Sequence, residues 1–95
     1  MKFLALEKEL PDTTAEQFLP LLREEARRVW EIQQAGLLRE IYFDANLHTA
    51  VLVLECSAVE EAGEVLATLP LVKAGLITFD LIPLIPYDGY ARLFS

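Results

Sequence analysis

Cysteine, histidine and positive charge are the scarce features of this sequence. It contains one cysteine, Cys56, and one histidine, His48. A lone cysteine excludes an internal disulfide and a cysteine-rich zinc site, and a single histidine leaves only carboxylates to complete any other metal site. No cluster of carboxylates is visible along the chain, so we expect no structural metal.

Basic residues and long apolar runs are also few. The 8 Lys and Arg residues stand against 15 Asp and Glu, which gives a formal net charge of −7. Binding to phosphate backbones needs concentrated positive charge, so nucleic acid is not an expected partner. No run approaches the roughly 18 apolar residues of a membrane span, and the start MKFLALEKEL lacks the apolar core of a signal peptide. We expect a cytoplasmic protein with no membrane partner.

Apolar residues, by contrast, are abundant. They make up 54% of the 95 residues, and the mean hydropathy is +0.33. A chain of this length forms one domain, which we place at residues 1–95, and it hides only about two thirds of the surface that its unfolded chain exposes. The surplus apolar residues therefore need a further surface to cover them.

The chain alternates between strand-like and helix-like segments. Four short apolar runs have the length and composition of strands; they are residues 2–7 (KFLALE), 37–43 (LLREIYF), 49–56 (TAVLVLEC) and 76–84 (LITFDLIPL). The middle two are separated by the turn sequence DANLH and predict a hairpin. After the last run, Pro83 and Pro86 predict an extended tail.

Two helices are predicted between these strands. Thr13 followed by Glu16 fits a capping box that opens a helix running to Ala35, which Pro20 bends early on. Gly36 suits the left-handed position that ends a helix. A second capping box, Ser57 followed by Glu60, opens a helix over residues 58–69, which Pro70 stops.

The resulting order, βαββαβ, predicts a ferredoxin-like α+β fold. In that arrangement an antiparallel four-stranded sheet carries two helices on one face. The bare face should then show polar residues at alternate strand positions, yet three of the strands are apolar at both parities. A second copy of the sheet is the simplest cover, so we expect a homodimer or higher homo-oligomer in which two sheets form an α+β barrel.

Glu25 is the first candidate for chemistry. On a helical wheel it falls inside the apolar arc that contains Phe18 and Val29, where a carboxylate faces the sheet. Burial of an ionised carboxylate without a partner is costly, so we expect either an ion pair or a raised pKa. Both outcomes have a functional and a structural version. A carboxyl group in an apolar pocket is typical of a general acid or base, whereas the structural alternatives are a partly buried salt bridge or a glutamate that reaches water at the edge of the arc.

Arg39 is the predicted partner of Glu25. Regular alternation along the second strand places Arg39 on the same side as Ile41 and Phe43, beneath the first helix. There it would neutralise Glu25 or hold a substrate carboxylate through its two-pronged geometry. The structural alternative is an arginine in a surface ion pair.

Four further residues are candidates for binding a ligand. They are Tyr42 on the second strand, His48 in the hairpin turn, Glu55 near the end of the third strand, and Trp30 on the apolar side of the first helix. Each also has a plain structural interpretation. Tyrosine is common in strands, a strand end near water explains Glu55, and a lone turn histidine is usually solvated.

Several short segments resemble the muconolactone isomerase family of the dimeric α+β barrel superfamily. The matching pieces are QQAGLLREIY, with Gly36 and Arg39 in a Gly-x-x-Arg arrangement, and LATLPLVKAGLITFDLIPL, with a Leu-Pro-Leu step into the last strand. Glu25 also falls where those proteins have a helix glutamate. The resemblance covers nearly the whole chain. It implies a cofactor-free homo-oligomer built from barrel dimers.

The resemblance also implies an activity. Isomerases of this kind shift a double bond within an unsaturated lactone by proton transfer, for which Glu25 would be the base and Arg39 the stabiliser of the enolate. The ligand would be a small hydrophobic or anionic molecule, such as an unsaturated lactone or an aromatic breakdown product. Two other interpretations stay open: a cofactor-free monooxygenase of the same superfamily, and a non-catalytic dimeric domain that binds a ligand or serves in assembly.

Overall fold

The computed structural model describes all 95 residues and contains four strands and four α-helices. The strands are β1 (Lys2–Glu9), β2 (Leu38–Phe43), β3 (Ala50–Glu55) and β4 (Ile77–Leu84). The helices are α1 (Ala15–Phe18), α2 (Leu22–Gln34), α3 (Val59–Ala67) and α4 (Pro70–Lys73). Short 3₁₀ turns cover Leu19–Leu21 and Gly89–Leu93. None of the helices combines the length and the apolar composition that crossing a membrane requires.

The strands form one antiparallel sheet in the order β2-β3-β1-β4. This order and the placement of the helices confirm the predicted ferredoxin-like α+β fold. The helices cover one face, where Phe3 and Ala5 of β1 and Leu52 and Leu54 of β3 are buried. Ile32 of α2 completes the same core cluster with the buried side chains of α3.

Side-chain hydrogen bonds are present at the starts of α1 and α3, but the residues that make them are shifted by one position from the predicted capping boxes. Thr14, not Thr13, precedes α1, and its backbone N–H donates to Gln17 Oε1 at 2.8 Å. Before α3, the Ser57 backbone N–H donates to Oε1 of Glu61, not Glu60, at 2.8 Å. In both cases the side chain that accepts the bond lies one position further along the chain than the sequence predicted.

Proline sets two breaks in the helical segments. Pro20 lies in the 3₁₀ turn that separates α1 from α2, so the predicted bend is a change of helix type. Pro70 ends the region of α3 as predicted, but it also opens α4, because its fixed φ suits the first turn of a helix. Gly36 ends the α2 segment with a φ of +82°, which confirms its left-handed role.

The second strand departs from regular alternation at a β-bulge. Leu38 pairs with Leu54, whereas the next paired residue, Glu40, lies opposite Val53. Arg39 is therefore the extra residue of the bulge. Each residue after it lies on the opposite face of the sheet from the one that regular alternation counted from Leu38 would give. Leu38, instead of Arg39, fills the buried position across from Leu54 and is 2% exposed.

The other face of the sheet is uncovered in the single chain. Its central stripe is apolar and consists of Leu4, Leu6, Val51 and Val53. Ile82 and Leu84 of β4 extend this stripe and are exposed. The C-terminal segment beyond them is apolar as well, and Phe94 is 87% exposed. It was predicted to be extended throughout, yet residues Gly89–Leu93 form a 3₁₀ turn, and Tyr87 packs edge-on against Tyr90 with ring centroids 4.8 Å apart.

Candidate functional site

A cavity of about 720 Å³ lies between the α1–α2 segment and the helix-covered face of the sheet. Of its 20 lining residues, 14 are hydrophobic, so a ligand of ring size would meet mainly apolar walls. Phe18, Val29, Phe43 and Phe79 come from four different elements of the fold. The polar side chains among the lining residues are few, and they are Glu7, Glu9, Thr13, Thr14, Glu25 and His48.

Glu25 projects from α2 into this cavity and is half-buried. Its Oε1 accepts a hydrogen bond from the backbone N–H of Leu71, at 2.9 Å, at the start of α4. Burial raises the pKa of Glu25, the Leu71 hydrogen bond opposes that rise, and the negative charge of Glu7 adds to it. The helical wheel thus placed this carboxylate correctly against the sheet, and the second predicted outcome, a raised pKa, is the one that the structure has.

Glu7 is a second carboxylate in the same cavity, and the sequence did not single it out. It shares a face of β1 with the buried Phe3 and Ala5, and its Oε1 accepts a hydrogen bond from the Ala50 backbone N–H at 2.6 Å. Burial raises the pKa of Glu7, and the charge of Glu9 raises it further, whereas the Ala50 hydrogen bond and His48 lower it. Strand parity places Glu7 in the cavity only once the burial of Phe3 and Ala5 shows which face of β1 the helices cover.

His48 also lines the cavity, from the turn between β2 and β3. Its ring stacks on Phe43 with centroids 4.1 Å apart, and its backbone has a φ of +57°, in the left-handed region. Asp44 holds the turn in place: its carbonyl accepts from the His48 N–H at 2.8 Å, and its Oδ1 accepts from the backbone N–H groups of Asn46 and Leu47. The imidazole is thereby fixed at the cavity wall.

Arg39 does not meet Glu25, which corrects the predicted pairing. Its Nε donates to the Gly36 carbonyl at 2.7 Å, the side chain is exposed, and it is absent from the cavity lining. The reason is the β-bulge, since the extra residue turns Arg39 away from the position beneath α2 that regular alternation assigned to it. Its positive charge acts instead on Glu55, whose pKa it helps to lower.

Three other predicted ligand-binding residues also lie away from the cavity. Tyr42 is on the uncovered face of the sheet, where its hydroxyl donates to Glu40 Oε1 at 2.7 Å. Glu55 is on that face too and binds the N-terminal ammonium group of Met1, which is the main cause of its lowered pKa. Trp30 is 60% exposed, because at 100° per residue it lies about 140° around α2 from Glu25.

Comparison with known proteins identifies the fold by structure and not by sequence. No protein-family model matches the sequence, and no curated protein matches it either. The fold, however, belongs to the α+β class in which muconolactone isomerase lies, which confirms the predicted resemblance at the level of the fold. A crystal structure of muconolactone isomerase superimposes with a TM-score of 0.77 at 21% sequence identity, covering 94% of this chain and 93% of that one.

A second solved structure with this fold is a dehydrochlorinase. It is the 5-chloro-2-hydroxyhydroquinone dehydrochlorinase TftG from Burkholderia phenoliruptrix AC1100, in complex with 2,5-dihydroxybenzoquinone. The TM-score is 0.71 at 14% identity, and the match covers 94% of this chain and 98% of that chain. At these identities the likeness concerns the fold alone.

Proposed function

We propose that this chain is an enzyme that moves a proton within a small unsaturated ring compound, such as a lactone or an aromatic breakdown product. The observation that carries the proposal is the pair of half-buried carboxylates, Glu7 and Glu25, in one apolar cavity of about 720 Å³. Carboxyl groups whose pKa is raised by burial in an apolar site are suited to accept and return protons. The two solved structures of the same fold are an isomerase and a dehydrochlorinase, which also act on small molecules.

Glu25 is the proposed base. In the reaction its ionised carboxylate takes a proton from the carbon next to the substrate carbonyl, and the electron pair of that C–H bond moves into an enolate conjugated with the substrate's double bond. The proton returns at the far carbon of that original double bond, which leaves the new double bond next to the carbonyl. One oxygen of Glu25 is held by the Leu71 N–H, which leaves the other oxygen for the proton. Glu7 raises the pKa of Glu25, and His48 is the hydrogen-bonding group that can face the substrate oxygen.

Deuterium exchange tests this function directly. A panel of unsaturated lactones and phenols is incubated with the protein in D₂O, and NMR follows deuterium uptake at the carbon next to the carbonyl. We expect uptake with the unaltered protein and a loss of at least about 100-fold with Glu25→Gln, since general acid–base groups typically contribute 10²–10⁴-fold. Glu24→Gln is the matched control, because Glu24 is exposed on the same helix and outside the cavity. Equal rates for the two variants would exclude Glu25 as the base.

Non-catalytic ligand binding is the second candidate function. It is favoured by one observation: no arginine or lysine lines the cavity to stabilise an enolate, because Arg39 lies outside it. In that case members of the same panel would bind and shift the NMR signals of cavity residues, while no deuterium would enter the ligand.

We also propose that residues 1–95 act as one domain that pairs with a second copy. The support is the uncovered apolar stripe on the sheet, together with the exposed tail, since a single chain leaves both in water. Light scattering should give the mass of a dimer or a larger assembly at micromolar concentration. Leu4→Lys, in the middle of the stripe between Val53 and Ile82, should reduce that mass to a monomer, whereas Lys73→Glu on α4 should not change it. A monomer for the unaltered protein would refute the proposal.

A further inference from the structure

The ionisable side chains of the cavity are almost all of one sign. Glu7, Glu9 and Glu25 line it, and no lysine or arginine does. His48 is the only lining residue whose side chain can carry a positive charge. A cavity with apolar walls transmits charge effects more strongly than water does, so a ligand entering it meets this imbalance with little screening.

Two backbone donors at the cavity wall are already occupied. The Leu71 N–H, at the start of α4, points at Glu25 Oε1 at 2.9 Å, and the Ala50 N–H, at the start of β3, donates to Glu7 Oε1 at 2.6 Å. Free backbone N–H groups of this kind are the usual means by which proteins bind anions without a basic side chain. Here the protein's own carboxylates occupy both positions.

We infer that the cavity takes uncharged ring compounds with hydroxyl groups and rejects compounds that carry a carboxylate. The inference rests on the proposed function, because it assigns the substrate class of that same site. A ligand hydroxyl can donate to the oxygens of Glu7 or Glu25 that no backbone group holds, and the ring meets the apolar walls. A carboxylate would bring a further negative charge beside three glutamates, and no ammonium or guanidinium group lines the cavity to replace its water.

The sequence alone is also compatible with an anionic ligand, because it predicts that Arg39 lies in the site and can bind a carboxylate. With Arg39 turned outward and bonded to the Gly36 carbonyl, the cation that such a ligand needs is missing from the cavity. The substrate class therefore follows from the position of one bulge in β2.

Two probes with the same ring but different charge test the inference. At pH 7, 4-methylphenol is uncharged and 4-methylbenzoate is an anion, while both have a methyl-substituted ring. NMR titration of the full chain, followed at signals of cavity residues such as Val29, Phe79 and His48, gives both dissociation constants. We expect 4-methylphenol to bind at least about tenfold more tightly, since a like charge in a partly buried site changes a binding constant by more than that factor.

The variants separate the charge effect from shape. Glu7→Gln and Glu25→Gln should each reduce the ratio of the two dissociation constants severalfold, because each replacement removes one negative charge and keeps the size of the side chain. Glu24→Gln should leave this ratio unchanged, since Glu24 lies on α2 like Glu25 but outside the cavity. The NMR spectrum of each variant also reports whether it is folded.

The outcomes distinguish this inference from the function on which it rests. If 4-methylbenzoate binds at the cavity as tightly as 4-methylphenol, the inferred substrate class is wrong, while a small-molecule site remains supported. If neither probe shifts the cavity signals, the proposed function falls and the inference falls with it. If Glu24→Gln reduces the ratio of the two dissociation constants as much as the cavity variants do, the preference for 4-methylphenol comes from the net charge of the chain and not from the cavity.

Discussion

Replacement of Glu25 by glutamine should stabilise the protein at neutral and alkaline pH. The glutamine side chain would keep an oxygen for the Leu71 N–H, so the hydrogen bond at the start of α4 survives the change. What the replacement removes is the cost of holding an ionised carboxylate against apolar walls. Residues placed for function frequently lower stability in this way, so a gain on replacement is what an active-site carboxylate predicts.

The sign of the pH dependence follows from the direction of the pKa shift. Glu25 has its ordinary pKa of 4.5 in the unfolded chain and a raised pKa in the fold. Below the ordinary value both states hold the proton. As the pH rises toward the raised value, the unfolded chain loses its proton first, so the free energy of unfolding falls through that window and stays lower above it.

The expected size of the effect is modest. Because Glu25 is only half-buried and partly screened by water, we expect a gain near the lower end of the roughly 0.5–2 kcal/mol that single stabilising substitutions commonly give, ~0.7 kcal/mol. For a chain of this size that gain raises the melting temperature by about 3–5 °C. At pH 4 the two proteins should melt at nearly the same temperature.

Thermal unfolding monitored by circular dichroism from pH 4 to pH 8 measures this difference. Protein concentration is held constant, because self-association would also stabilise the fold. Glu24→Gln corrects for the general effect of removing one charge from a chain of net charge −7. If Glu25→Gln melts lower than Glu24→Gln at pH 8, the carboxylate is not a destabilising group and the reasoning is refuted.

Three further outcomes are expected. Glu7→Gln should lower the pKa of Glu25, because it removes a negative charge that raises it; carbon-detected NMR titration of the Glu25 carboxyl measures this, and an unchanged pKa would show that the two groups do not interact. Leu54→Ala should cost about 2–5 kcal/mol in urea unfolding because Leu54 is fully buried, whereas Leu47→Ala, in the exposed turn, should change stability by less than about 0.5 kcal/mol. His48→Asn should melt above His48→Val, since asparagine tolerates the left-handed backbone of that turn and a β-branched residue does not; the reverse order would contradict the observed φ.

The fold could be predicted because each element has its own local signal. Apolar runs of strand length, the glycine at the end of α2 and the proline after α3 appear in the sequence in the order that the structure shows. The capping interactions were predicted one position too early. Adjacent threonines at 13 and 14 both offer a hydroxyl, and neighbouring glutamates at 60 and 61 both offer a carboxylate, so the pattern alone does not choose between them.

The candidate site was predictable in part. Glu25 stood out because a helical wheel shows one carboxylate inside an apolar arc. Glu7 did not, because β1 is apolar at both parities before it, and only the burial of Phe3 and Ala5 shows which face the helices cover. His48 was a candidate for ligand binding, with a solvated turn residue as the structural alternative. It is exposed and also lines the cavity, and that position depends on how far the hairpin reaches along the sheet, which is a tertiary property.

The bulge at Arg39 has a consequence for the diversity of this fold. An edge strand such as β2 can absorb one additional residue without disturbing the core, since only one of its sides is hydrogen-bonded. Whether an arginine in that strand faces the cavity or the solvent is thus decided by the position of a single inserted residue. Insertions and deletions in this strand would offer evolution a way to add one positive charge to the cavity, or to remove it, without changing the other three strands of the sheet.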